Sequence, residues 1–161
     1  LNNYHLNNKT IFYLTKLMWA TFDDSDFPFV KIKMTGVPAD DDDFQNFMNK
    51  WDSYNLTRNH QPYIFIFDTR EVGFINIKYS FRMSSFIKQL KASEHQYLRG
   101  SIVVSGGIWS KFLLKVIFWT QRPVAPVYIT DSNDPILIND IANNINIGIE
   151  KLYNHVSIVR P

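Results

Sequence analysis

Residues 62–76 read Pro62-Tyr63-Ile64-Phe65-Ile66-Phe67-Asp68-Thr69-Arg70-Glu71-Val72-Gly73-Phe74-Ile75-Asn76. Five consecutive apolar residues, Tyr63 to Phe67, stand between a proline and an aspartate. A strand with one wet face alternates apolar and polar side chains, so an unbroken run of this length fits a central strand covered on both faces. Beyond it, Tyr79, Met83, Phe86, Ile87 and Leu90 recur at helical spacing with Lys78, Arg82, Lys88 and Lys91 beside them. That pattern predicts a helix from about Ile77 to Ala92, with Asn76 as its N-cap.

The same alternation continues in both directions. Ser101 to Ser105, ending in Gly106-Gly107, reads as a second buried strand, followed by a helix from about Trp109 to Thr120 that Pro123 and Pro126 close. Val127 to Thr130 is the next strand. Ser132 or Asp134 opens a last helix whose stripe is Ile138, Ile141, Ile145 and Leu152, and the tail Val156 to Pro161 adds an edge strand or frays. Toward the N-terminus, Phe44, Phe47, Met48, Trp51 and Tyr54 form a helical stripe from Asp41 onward, with aspartates where the positive end of the helix dipole favours them. Before it, Lys16 to Phe22 and Phe29 to Met34 are strand-like runs joined by the turn-forming stretch Asp23 to Pro28. The order is β-β-α-β-α-β-α-β-α. It predicts an α/β fold with a mostly parallel mixed sheet of about five strands flanked by four helices. Residues 1–9 read as a loose arm and 10–161 as a single domain.

Composition narrows the function classes. The 161 residues are 45% hydrophobic and 16% aromatic, ample for one core, and the formal net charge is only +2. That charge argues against wholesale nucleic-acid binding. There is no cysteine, which excludes disulfides, thiolate catalysis and cysteine-based zinc sites and fits a reducing compartment. No signal-peptide pattern opens the chain, although its first residue is Leu1 rather than Met, and no apolar run is long enough to span a bilayer. The expectation is an intracellular, cytoplasmic protein. Asn and Ile abound, as AT-rich coding would produce. Charge is segregated along the chain. Asp23, Asp24, Asp26 and Asp40 to Asp43 crowd residues 23–43, whereas Lys78, Arg82, Lys88, Lys91, Arg99, Lys111, Lys115 and Arg122 face only Glu94 across residues 76–122.

This element order, and above all the segment Tyr63 to Asn76, resembles the STAS family of anti-sigma-factor antagonist and sulfate-transporter domains and its SpoIIAA-like relatives. The similarity covers roughly residues 29–150. It implies a non-enzymatic domain that binds proteins or ligands. In the phospho-regulated members the helix after that strand opens with Asp-Ser-Ser-Gly, and a serine there accepts phosphate. Aligned on Asp68, this chain has Asn76-Ile77-Lys78-Tyr79 instead, so the acceptor is not retained. Ser84 and Ser85 are other places for such regulation, or plain helix surface. The CRAL-TRIO fold is a weaker match, being longer and lined by helices absent here.

Chemistry-bearing residues are few. His5, His60, His95 and His155 show no ligand spacing, and Asp40 to Asp43 lacks the glycine and distal glutamate of a calcium loop, so no metal or other cofactor is expected. Asp68 ends a central strand, where open α/β sheets place ligands, and with Arg70 and Glu71 it forms either a polar site or an ordinary strand-end turn. Gly106-Gly107 is not followed by the lysine of a phosphate-binding loop. The helix Trp109 to Thr120 is apolar around nearly its whole circumference, more than one buried stripe requires. Three readings stay open. The helix is sandwiched beneath the C-terminal segment, or it carries a patch for self-association or another protein, or with the basic residues it binds an anionic lipid surface or a small anion or other ligand. The binding residues under the last two are Trp109, Lys111, Lys115, Phe118, Trp119 and Arg122, joined by Lys78 and Arg82.

Overall fold

The computed structural model describes residues 18–57 and 60–161. The loose arm expected at residues 1–9, and Lys16 and Leu17 of the first expected strand, lie outside the described residues.

β3 (Tyr63–Val72) is the third strand of a six-stranded sheet ordered β1-β2-β3-β4-β5-β6. Its alternation divides the core. Tyr63, Phe65 and Phe67 enter a large cluster on one face, and Ile64 and Ile66 a smaller one on the other. The uninterrupted apolar run is therefore the signature of two covered faces, as expected. β2 (Phe29–Gly36), β3, β4 (Leu98–Ser105) and β5 (Val127–Thr130) are parallel neighbours. β1 (Ala20–Asp23) and β6 (Val156–Val159) pair antiparallel at the two edges. The tail thus supplies a sixth strand beyond the five expected, and both edges of the mostly parallel sheet are antiparallel.

The strand order is sequential, so right-handed crossovers carry the three connecting helices to a single face. α1 (Asp41–Thr57), α2 (Lys78–Ala92) and α3 (Ile108–Thr120) contribute Phe44, Phe47, Trp51, Tyr79, Leu90 and Leu113 to the large cluster. α4 (Pro135–Asn146) covers the opposite face with Ile141, Ala142 and Ile145. α3 is consequently not sandwiched beneath the C-terminal segment. The antiparallel return from β5 to β6 takes that segment to the other side of the sheet.

Local chemistry explains the helix ends. Asp40 Oδ1 accepts from Asp43 N at 2.8 Å and Asp43 Oδ2 from Ala39 N at 3.0 Å, so the acidic run caps α1. At α2 the cap position falls on Ile77, one residue later than expected. Asn76 still serves the helix start, since its Oδ1 accepts from Lys78 N at 2.9 Å. Asp134 caps α4 by accepting from Ile136 N at 2.9 Å, with Pro135 in the first turn. The stripe expected to run on to Leu152 stops at Asn146. Gly148 follows at φ 76°, a left-handed conformation that ends helices, and Leu152 is exposed.

Candidate functional site

The site assembles at the carboxyl edge of the parallel strands and continues along α3. Gly106 passes so close to the Arg70 backbone that a Cβ there would overlap the Arg70 Cα and carbonyl oxygen. This contact docks the start of α3 against the end of β3. Ser110 Oγ donates to Gly107 O at 3.1 Å and lies 2.7 Å from Ser105 Oγ, tying the first turn of α3 to β4.

The docked helix end carries a stack of three rings. Phe74, in the β3–α2 connection, lies 4.1 Å from Trp109 with an interplanar angle of 18°, and Trp109 lies 5.1 Å from Phe112 at 27°. Phe74 is 76% exposed, whereas Trp109 is half-buried and its Nε1 is a buried donor without an acceptor among the described residues.

α3 has two apolar faces. Leu113, Leu114, Ile117 and Phe118 turn toward the sheet and α2. At 3.6 residues per turn, positions 108, 112, 115 and 119 share the opposite side. Ile108 is 91% exposed, Trp119 is 87% exposed, and Phe112 and Lys115 lie open between them. The structure therefore places Trp119 on the surface, whereas Phe118 is half-buried and packs on the inner side of the helix, away from the exposed stripe.

The basic residues do not converge on this face. Lys78 Nζ is 2.7 Å from Asp41 Oδ1, and Arg82 reaches Asp41 Oδ1 at 3.4 Å and Gln45 Oε1 at 3.1 Å while lying over the Phe44 ring. Both turn toward α1. Lys111 Nζ pairs with Asp131 Oδ2 at 2.6 Å. Lys115 and Arg122 are exposed on and just after α3.

Asp68, Arg70 and Glu71 do not form one polar site. Arg70 Nε and Nη2 donate to the two Asp68 carboxylate oxygens at 2.9 and 2.8 Å, and this forked contact holds the Asp68 carboxyl below the usual carboxylate range. Glu71 pairs instead with Lys33 of β2 at 3.0 Å. The strand end is an ion-paired turn.

Two other groupings escaped the sequence pattern because residues distant in the chain compose them. His60 and His95 come within 5.7 Å ring to ring, with Tyr97 beside His60 at 5.1 Å; among the described residues no group of three metal-ligating side chains forms. Ser84, a candidate for regulation, is buried and bonded to Ser80 O, Ile117 O and Thr120 Oγ1, where it joins α2 to α3; Ser85 is exposed. Among the described residues no helix is long and apolar enough to cross a membrane.

No family profile matches the chain, and no curated protein matches it. Among solved structures, an uncharacterized protein of the DUF3478 family with a SpoIIAA-like fold, from Shewanella loihica PV-4, superposes with a TM-score of 0.50 at 10% sequence identity, over 76% of this chain and 91% of that chain. The likeness shows the fold: this chain is a SpoIIAA-like α/β domain.

Proposed function

We propose that this SpoIIAA-like domain is a non-catalytic interaction module that pairs with a second copy of itself through the outer face of α3. The observation that carries the reading is the exposed stripe Ile108, Phe112, Lys115 and Trp119 on a helix whose other side already serves the core. Trp and Phe are the residue types that anchor interfaces, and a surface helix that only caps a sheet has no need of them outside.

The spacing favours a second copy over a foreign partner. Two α3 helices crossing antiparallel about a two-fold axis between positions 113 and 114 bring Ile108 against the other copy's Trp119. Phe112 then meets the other copy's Lys115. Each apolar end finds an apolar end, and the charged side chain of the stripe finds an aromatic ring, a favourable cation–π geometry. The area is of the right order as well. At ~150–250 Å² per covered aromatic, Phe74, Phe112, Trp119 and Ile108 supply roughly 600 Å² per copy, approaching the ~800 Å² per partner of a standard interface.

Light scattering across a concentration series tests this. The unmodified protein is expected to show a dimer mass at tens of micromolar, and Trp119→Asp to weaken pairing by about 100-fold, the loss typical of an anchor residue. A protein that stays monomeric at millimolar concentration refutes self-pairing. If that monomer co-sediments with anionic vesicles at low salt, the face belongs to a lipid surface instead.

A further inference from the structure

Beneath α2 and α3, against the sheet face that α1 also covers, the structure leaves a partly open apolar pocket of about 150 Å³. Trp19, Trp51, Phe67, Val103, Leu113 and Ile117 are among its walls, and no Asp, Glu, Lys, Arg or His lines it. Close packing leaves few voids larger than a water molecule in a protein interior, so a space of this size is an exception that lowers stability while it stays empty. Apolar walls of this kind stay dry, and a volume of roughly 150 Å³ accepts one aromatic ring.

Five hydroxyl-bearing residues, Thr69, Tyr79, Ser80, Ser101 and Ser110, break the apolar lining, and the hydroxyls of Thr69, Tyr79 and Ser110 are bonded to Val104 O, Asp41 Oδ1 and Gly107 O. Ser80, in the first turn of α2, and Ser101, on β4, are each 3% exposed and both line the pocket. Among the described residues neither hydroxyl takes part in a hydrogen bond, whereas Ser84, Ser105 and Ser110 nearby are all bonded. A hydroxyl that faces an apolar space without a protein partner is unfavourable, and alanine at either position would avoid that cost.

We infer that the pocket is a binding site for a small uncharged molecule of one ring or a short alkyl chain, bearing one hydroxyl or carbonyl group that pairs with Ser80 or Ser101. The ring takes the place of the missing core contacts. The polar group satisfies a serine that the fold leaves unpaired. The charge-free lining excludes carboxylates, phosphates and amines, because an ion would enter without a counter-charge. This site lies on the inner side of α3 and is independent of the outer face proposed to pair.

Proton–carbon correlation spectra of the methyl groups, recorded during titration with p-cresol and with toluene, test the inference. Saturable shifts are expected at Ile87, Val103, Leu113 and Ile117 and not at Ile136 or Leu152, which are exposed. p-Cresol should bind about fivefold more tightly than toluene, the worth of one hydrogen bond, and Ser80→Ala or Ser101→Ala should remove that preference while toluene still binds. Leu113→Phe fills the space and should abolish both titrations; if that variant does not fold, Ser80→Leu takes its place. Absence of saturation with either probe, or shifts that survive in the filled variant, overturns the site and leaves a packing void only. Equal affinities for the two probes, unchanged by either alanine, overturn the role of the serines.

Discussion

Gly106 shows how one residue sets the position of the whole site. Its φ is not in the left-handed region, so the need for glycine there is one of space. Arg70 backbone atoms occupy the volume of the missing side chain, and the start of α3, with Trp109 and Ile108, is placed by that contact. A phosphate-loop interpretation of Gly106-Gly107 is unnecessary once the contact is known. Gly106→Ala should lower stability by about 1–3 kcal/mol, because backbone rather than a flexible side-chain tip must move. Gly107→Ala, where a Cβ meets open space, should cost under about 1 kcal/mol. Urea denaturation of both variants decides, and a Gly106→Ala protein as stable as the parent would show that α3 docks by other contacts.

At the scale of elements, the legible parts were those whose pattern depends on their own residues. Tyr63 to Phe67 declared a doubly covered strand, and the aspartates before α1 declared a cap. What was hidden depends on neighbours. The apolar excess of α3 was plain, but periodicity counts apolar positions without saying which element covers each. It therefore could not reveal that Phe118 turns inward and Trp119 outward, or that the C-terminal segment crosses to the other face. α4 was drawn too long for a related reason. Leu152 continues the spacing of Ile138, Ile141 and Ile145, yet Gly148 breaks the helix before it. The start of α4 is fixed by Asp134, whose carboxylate accepts from Ile136 N. Asp134→Ala should cost about 1 kcal/mol, and Asp134→Ser, which keeps an acceptor at the cap, should restore most of it. Thermal unfolding followed by circular dichroism gives the comparison, and equal losses in the two variants would assign the effect to charge rather than capping.

Over the whole molecule, the charge segregation of the sequence becomes neutralisation in space. The acidic block before α1 and the basic block of α2 meet where Asp41 receives Lys78 and Arg82. A linear reading of charge therefore pointed to a basic surface that folding partly cancels. The same pairings predict how stability follows pH. Hydrogen bonding from Ser25, Lys78, Arg70, Lys151 and Arg160 holds the carboxyls of Asp23, Asp41, Asp68, Asp140 and Glu150, respectively, below their ordinary values. A carboxyl lowered in the folded state contributes stability above its unfolded pKa of about 4 and loses it as pH falls through the folded value. Burial raises Tyr54, Tyr63, Tyr79, Tyr128 and Tyr153, so their contribution is present below about pH 10 and is lost as pH rises beyond it, where the unfolded chain ionises first. The two limbs have different physics. Most of the carboxyls are exposed and their ion pairs are screened by salt, whereas burial of a phenol is not. Urea midpoints measured from pH 2.5 to 11 should therefore form a plateau between about 5 and 9.5, with an acid limb that becomes shallower in 1 M sodium chloride and an alkaline limb that keeps its shape. An acid limb indifferent to salt would mean that the pairs drawn between Lys78 and Asp41, and between Arg160 and Glu150, do not hold the fold in solution.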